Sequence, residues 1–248
     1  MTLTTPKSKM RLSSIGQTPG YEGAAMSRRL SGWRPSKQHV NSLLESAGDT
    51  LTARARWLTR NNGYATRAKN SFIGNAVGTG IYPSWKLQDK ALRRSLQDLW
   101  VRGTDECDAD NVTDFYGMQA IAAGAMFEAG ECFARIRPRR IEDMETVPFQ
   151  LQLIESEQLP LHLNEQLPNG NTIKNGIELN RIGRRVAYHF LKEHPGQHLT
   201  DLRGLETVRV PASLVLHMYE PLRPGQLRGQ TRLASAMVML MMLDLYDD

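Results

Sequence analysis

Cysteine is scarce in this 248-residue sequence, which contains only Cys107 and Cys132. Two widely separated cysteines exclude a disulfide framework and a cysteine-based zinc module; such residues usually pack as small apolar side chains. Long apolar runs are also missing: the strongest, at residues 233–243, is shorter than the about 20 residues that a membrane-spanning helix needs. The N-terminus has basic residues without an apolar run behind them, which does not predict a secretory signal. We therefore expect no membrane partner.

The common catalytic motifs are absent as well. The glycine-rich stretch GNAVGTG lacks the Lys-Ser/Thr pair of a phosphate loop and follows a predicted helix, so it predicts helix termination. No G-x-S-x-G nucleophile motif occurs. Glu155 and Glu157 would share one face of a strand, where two carboxylates can act as an acid–base pair, but such pairs are common on exposed strand ends. We predict no enzyme, no catalytic residue and no cofactor.

Three of the six histidines lie close together in the segment HFLKEHPGQH, at His189, His194 and His198. Their spacing matches no tight metal motif, and HPGQ indicates a turn. We favour loop histidines over ligands and predict no metal. A metal-dependent hydrolase that uses this cluster remains an alternative, and stoichiometric metal in the purified protein would support it.

Charge is unevenly distributed along the chain. The first 70 residues hold twelve Lys or Arg and three acidic residues, a net charge of +9, whereas the rest holds 19 basic and 23 acidic residues. A basic end on a mildly acidic body suggests a polyanion or an acidic partner near that end, or a solvated basic arm. Both interpretations stay open, and the alternative function they suggest is non-specific nucleic-acid binding.

Local patterns divide the chain into four parts. Residues 1–36, rich in Ser, Thr, Gly, Pro and basic residues without periodicity, predict a mobile basic arm. Residues 37–130 are predicted to be mainly helical, residues 131–230 β-rich, and residues 231–248 helical again.

The helical part is predicted to contain four helices with recognisable ends. The first helix begins near Ser36 or Lys37, and Asn61, Asn62 and Gly63 end it because Asn and Gly tolerate the left-handed conformation. The second helix covers residues 64–77 and the third covers residues 91–101. The fourth helix is capped by Thr113 and ends at Gly130. In the β-rich part, residues 168–191 predict two strands joined at Asn180 and Gly183.

Several segments follow one another in a specific order. They are RARWLTRNNGYATRAKNSFIGNAVGTGI, TDFYGMQ, the GE of EAGECFARI, FQLQLIE, NTIKNGIELNRIGRRVAYHFLKEHPG, and VRVPASLVLHMYEPLRPGQLRG with the helix behind it. Together, from about residue 33 to residue 248, they resemble the lambda-type portal proteins of tailed phages and prophages. No single motif is very specific, but their order and spacing over roughly 200 residues are.

The resemblance implies an α+β fold: a helical N-terminal region, a β-rich wing-like body and a C-terminal helix. Members of that family are about twice as long, so it also implies that residues 1–248 are the N-terminal part of a ring subunit, with the last helix continuing into a missing half. It implies a non-catalytic ring at a capsid vertex, with twelve subunits by analogy with that family. The implied partners are terminase, major capsid and scaffold proteins, head-completion and tail proteins, and double-stranded DNA in the channel. The implied location is the virion, and the host cytoplasm during assembly.

Arginines are the candidate site residues for subunit contact or for facing nucleic acid. They are Arg54, Arg56, Arg60, Arg67, Arg223 and Arg228. Arg223 and Arg228 lie in the turn-rich segment RPGQLRG, where they would bridge to a neighbouring subunit or be solvated. Because DNA must slide through a portal channel, we expect the basic arm to serve assembly, scaffold contact or outer-surface packing more than DNA gripping.

Overall fold

The computed structural model describes Tyr21, Ala24, residues 27–197 and residues 206–247. The chain divides into two compact units, Met1–Gln38 and His39–Asp248. The described residues of the first unit include a short 3-10 turn, Arg28–Leu30. Most of the predicted basic arm lies outside the described residues, and its mobility stays a prediction.

The second unit begins with two helices that meet at Asn62. Helix α1 spans Val40–Asn61 and helix α2 spans Gly63–Ala76, so α1 starts later than predicted. The prediction of a left-handed break is wrong: Asn62 is extended, with φ −110° and ψ 119°. Its side-chain oxygen accepts hydrogen bonds from the N–H groups of Tyr64 and Ala65, both at 3.1 Å. Asn62 therefore ends one helix and caps the next.

Two further helices precede the sheets. Helix α3 spans Lys90–Asp105, longer than predicted, and helix α4 spans Phe115–Glu128. The cap of α4 is Asp114, whose carboxylate accepts from the N–H of Gly117 at 2.7 Å, and not the predicted Thr113. Asp114 is the better cap because its carboxylate reaches the third helical N–H and its negative charge is stabilised by the positive end of the helix dipole. Gly130 follows α4 with φ 86°, as expected for a helix-ending glycine.

The strands form two antiparallel sheets among the described residues. The first has the order β2-β1-β8 and the second the order β3-β4-β5-β6-β7. Their bounds are β1 Glu131–Pro138, β2 Phe149–Ile154, β3 Glu165–Gln166, β4 Thr172–Lys174, β5 Ile177–Leu179, β6 Arg185–Leu191, β7 Thr207–Pro211 and β8 Val215–Tyr219. The prediction of an α+β fold is confirmed.

One hairpin was missing from the sequence prediction. Asn175 and Gly176 both have positive φ, 50° and 80°, and they join β4 to β5 where a single strand was expected. Asn-Gly is the pair that a two-residue hairpin turn favours. The second turn lies where predicted, with the N–H of Gly183 donating to the carbonyl of Asn180. The segment thus contains three strands instead of two.

The last helix, α5, spans Met237–Asp247 and starts six residues later than predicted. Residues 232–236 form turns, and the N–H of Arg232 bonds to the carbonyl of Phe127 near the end of α4. Within the described part of the chain, no helix is long and apolar enough to cross a bilayer.

The second unit has two apolar clusters. One lies between the sheets around the fully buried Phe133, Leu159 and Ile177. The other joins α1, α2, α4 and α5 and contains Leu58 and Phe127. Cys107 and Cys132 are buried as free thiols, and burial raises the pKa of Cys132 to about 12, so that thiol is not a nucleophile at neutral pH.

Candidate functional site

A carboxylate, that of Glu131 at the start of β1, lies at the centre of the most connected polar cluster. It is 1% exposed and accepts four hydrogen bonds: from Ser156 Oγ at 2.6 Å, Arg228 Nε at 2.8 Å, the Gly229 N–H at 2.6 Å and His217 Nε2 at 3.0 Å. Burial would raise the pKa of Glu131, but the Arg228 charge and the His217 hydrogen bond hold it well below its ordinary range. Glu131 is therefore a fully bonded buried anion.

Arg228 is the cationic partner in this cluster, and its side chain is 1% exposed. Besides Glu131, its guanidinium donates to three backbone carbonyls: Leu159 at 2.7 Å, Asn175 at 2.9 Å and Ser156 at 3.0 Å. The prediction that Arg228 contacts a neighbour or nucleic acid is wrong, because the guanidinium is enclosed and bonded on all sides. Its neighbours in sequence gave no sign of this, since the partners come from distant segments.

His217 on β8 completes the cluster in its neutral form. Its Nδ1 lies 3.2 Å from Nη1 of Arg185. Because a guanidinium can only donate, Nδ1 accepts and Nε2–H donates to Glu131. Burial lowers the pKa of His217, and this outweighs the opposing effect of Glu131. Arg185 also donates to the hydroxyl of Tyr219.

We call Glu131, Arg228, His217, Arg185 and Ser156 the buried ion network. It joins β1 and β8 of the first sheet to β6 of the second, and it fixes the segment that leads into α5. The side chains of Glu131, Arg228 and His217 are each 3% exposed or less, so a substrate has no path to them. Chemically, the arrangement holds two sheets in one orientation.

A second cluster forms around Arg56. Its Nη1 donates to Glu155 at 2.7 Å and its Nη2 to Glu157 at 2.9 Å, and His194 Nε2 lies 3.3 Å from Glu155. The expected strand at Glu155 and Glu157 is wrong: Glu155 caps a 3-10 turn, Ser156–Gln158, which brings both carboxylates to one cation. Arg56, predicted to contact a partner, is thus engaged within the chain.

Glu155, Glu157 and His194 have ligand atoms within 4.8 Å of one another, a spacing that a metal ion can use. Arg56 already bonds to both carboxylates, and its charge would repel a cation there. The structure separates the predicted histidines: His189 pairs with Glu178 at 3.1 Å, and His198 lies outside the described residues. The cluster required by the hydrolase hypothesis is therefore not assembled by His189 and His194.

The remaining predicted arginines are Arg54, Arg60, Arg67 and Arg223, and all four are exposed. Among the described residues none of them forms an ion pair. Arg60 and Arg67 line an open cleft of about 680 Å³ at the bend between α1 and α2. Its other lining residues are uncharged: Asn61, Asn62, Gly63, Thr66, Asn70 and Ser71. Their role in contacting a partner stays a prediction.

A family model described as "Phage portal protein, lambda family" matches residues 26–248. The chain belongs to the lambda family of phage portal proteins. This confirms the resemblance that the ordered segments indicated.

Curated portal proteins show the same relationship. The chain is 28% identical over 228 residues to a probable portal protein of Halomonas phage phiHAP-1, covering 86% of this chain and 43% of that protein. It is 25% identical over 256 residues to portal protein B of Escherichia phage lambda, covering 94% and 46%. It is 24% identical over 253 residues to the portal protein of Escherichia phage N15, covering 94% and 47%. The chain thus spans about half the length of these relatives.

Two of the segments that carried the portal resemblance meet at the buried ion network. The GE of EAGECFARI contributes Gly130 and Glu131, and RPGQLRG contributes Arg228 and Gly229. The backbones pack closely here: a Cβ on Gly229 would lie 2.3 Å from the carbonyl oxygen of Gly130. In this portal-family chain, the two segments therefore pack against each other at the buried ion network.

Proposed function

We propose that this chain forms the wing-like body of a portal subunit, and that the subunits form a ring at one capsid vertex. By analogy with the portal family, the ring has twelve copies. Phage DNA is packaged and ejected through the channel of that ring. The family match over residues 26–248 carries the proposal, since it includes nearly all of the described residues.

The structure supports a structural role in two ways. An ion cluster among the described residues is buried and connects two sheets, which suits a body with a fixed shape. Other surfaces can contact the exposed side chains of Met239 and Met242 on α5 and four exposed arginines without an ion pair among the described residues: Arg54, Arg60, Arg67 and Arg223. A ring requires heterologous contacts that close by rotation, and those contacts use two different surfaces of each subunit.

The proposed partners follow from this role. They are further copies of the chain, terminase, the major capsid and scaffold proteins, and the head-completion and tail proteins. The proposed location is the capsid vertex of the virion, with assembly in the host cytoplasm.

Electron microscopy of the protein expressed from the complete reading frame tests the proposal. We expect rings with a central channel wide enough for duplex DNA, whose symmetry gives the subunit number. Monodisperse monomers or dimers from the complete frame would remove the conduit function.

Non-specific nucleic-acid binding is the second candidate. The cleft beside Arg60 and Arg67 supports it, because no carboxylate lines that cleft. This function requires the isolated monomer to bind DNA with a steep salt dependence. Weak binding without that dependence would leave the ring as the better proposal.

A further inference from the structure

Strand β1 carries arginines at alternate positions, Arg135 and Arg137, and Arg139 follows directly after the strand. Side chains two residues apart in a strand lie on the same face, about 6.6 Å apart. On β2, Gln152 lies opposite Arg135 and Gln150 lies opposite Arg137. We call the three arginines the arginine row.

Neutral acceptors hold two members of the arginine row in place. Nη1 of Arg137 donates to Oε1 of Gln152, and Nε of Arg139 donates to Oε1 of Gln150, both at 2.7 Å. Gln150 is itself fixed, because its Nε2 donates to the carbonyls of Glu106 and Asp108 at 2.9 and 3.1 Å. The guanidinium groups are thus oriented without losing their charge.

The arginine row lacks a counter-charge within the described part of the chain. None of its members forms an ion pair with a described carboxylate, and all three remain partly exposed. Partial burial lowers the pKa of Arg135, and the neighbouring charge of Arg137 lowers it further. Like charges have been brought together on this face, and an external anion would relieve their repulsion.

We propose that the arginine row binds the phosphate backbone of double-stranded DNA. The planar guanidinium fork matches phosphate oxygens, and a regular row suits a polymer with regularly spaced anions. The strand residues opposite Arg135 and Arg137 are Gln152 and Gln150 on β2 and the buried Val215 on β8, so none of them offers the exposed apolar anchor that protein interfaces use, which favours DNA over an acidic protein segment. The choice of DNA rests on the proposed portal function, because DNA is the polyanion that a portal meets. Three such contacts give modest, salt-sensitive affinity and let DNA move past.

The experiment measures affinity of the whole chain for a short fluorescent DNA duplex by anisotropy, over a series of salt concentrations. The triple variant Arg135→Gln, Arg137→Gln, Arg139→Gln is compared with the wild type. Each phosphate contact contributes about 0.9 to the slope of log affinity against log salt, so we expect the slope to fall by about 2.7.

A matched control removes the same charge elsewhere. Arg93, Arg94 and Arg102 are exposed on α3, and their replacement by Gln changes net charge equally. We expect this control to keep most of the wild-type slope. An equal fall in both triple variants, or an unchanged slope in the row variant, would overturn the proposal.

Two further measurements keep the result interpretable. Replacing the three residues of the arginine row by Lys keeps the charge and should keep the slope of log affinity against log salt. If the Gln triple variant does not fold, the single variant Arg135→Gln should lower that slope by about 0.9. Loss of binding to a poly-glutamate peptide, with DNA binding unchanged, would replace DNA by an acidic protein partner and overturn the proposal.

Electron microscopy of the row variant, expressed from the complete frame, separates the two proposals. Rings with a reduced DNA slope support both, whereas a reduced slope in a protein that never forms rings refutes the portal function alone.

Discussion

Glu131 and Arg228 show how a single buried pair can organise a fold. A carboxylate and a guanidinium without water lose several kcal/mol of hydration each, and this loss is offset only if every remaining donor and acceptor is bonded. Glu131 accepts four hydrogen bonds, and Arg228 donates to Glu131 and to three backbone carbonyls. Removal of either partner leaves the other charged and buried.

The variant Arg228→Ala should lower the free energy of unfolding by about 3–5 kcal/mol, because it leaves the Glu131 carboxylate without its cation. Urea denaturation followed by circular dichroism measures this. The exposed Arg223 in the same segment is the control, and Arg223→Ala should change stability by less than about 0.5 kcal/mol. A similar small effect of both variants would contradict the importance of the network.

The neutral state of His217 should make the fold sensitive to mild acid. Burial depresses the folded-state pKa of His217, so its contribution to stability is present above the ordinary value of about 6.5 and is lost as pH falls below it. The pKa of Glu131 is also depressed, so its contribution is lost at still lower pH. We expect the urea concentration at the unfolding midpoint to decrease when the pH is lowered from 7.5 to 5.5.

Replacement of His217 by Gln removes this titration. In His217→Gln the difference between the two midpoints should shrink, whatever the variant costs at pH 7.5. A wild-type midpoint that does not change over this range would contradict a neutral buried His217.

At the scale of elements, the junction between α1 and α2 depends on one side chain. Asn62 is 3% exposed, accepts from two N–H groups of α2 and donates to Asp244 Oδ1 at 3.2 Å. It therefore connects three helices, since Asp244 lies in α5.

Substitution Asn62→Ala should cost about 1–2 kcal/mol, as expected for loss of a helix cap, measured by thermal or urea unfolding. Asn62→Ser keeps a short oxygen acceptor and should restore part of this loss. The exposed neighbour Asn61, whose amide donates to the carbonyl of Trp57, serves as control and should tolerate Ala with a smaller loss. Equal losses at both positions would show that capping is not the reason.

At the scale of the whole molecule, the apolar face of α5 stands out. Met239 is 74% exposed and Met242 is 65% exposed, whereas Met237 on the opposite side is 5% exposed and packs in the helical cluster. Contiguous exposed apolar side chains of this kind mark surfaces that other groups cover.

The double variant Met239→Glu, Met242→Glu should leave the unfolding midpoint nearly unchanged and reduce self-association of the 248-residue chain, measured by light scattering. The reason is that both side chains are exposed and lose no packing when they change. Met237→Ala is the contrasting variant and should cost about 2–5 kcal/mol through the cavity it leaves. A large loss of stability in the double variant would mean that the exposed face is packed in solution.

The amino-acid sequence by itself determined the succession of a helical part, a β-rich part and a last helix, and the resemblance carried by its ordered segments gave the α+β class and the family; the short strands β3 and β7 were not predicted. These depend on local periodicity, turn residues and the order of segments, all of which can be read along the chain. Errors arose where two local signals compete, as at Thr113 and Asp114, or where the turn signal of Asn175 and Gly176 lay inside an apparent strand.

Only the tertiary structure decided what the charged side chains do. Arg223 and Arg228 lie in one segment, yet Arg223 is exposed and Arg228 is the largest fully buried side chain of the described residues. Arg56 was expected to face a partner, but Glu155 and Glu157 reach it from 99 and 101 residues away. The physical reason is that the free energy of a charge depends on its hydration and on partners brought close by folding, and neither is encoded in its immediate neighbours.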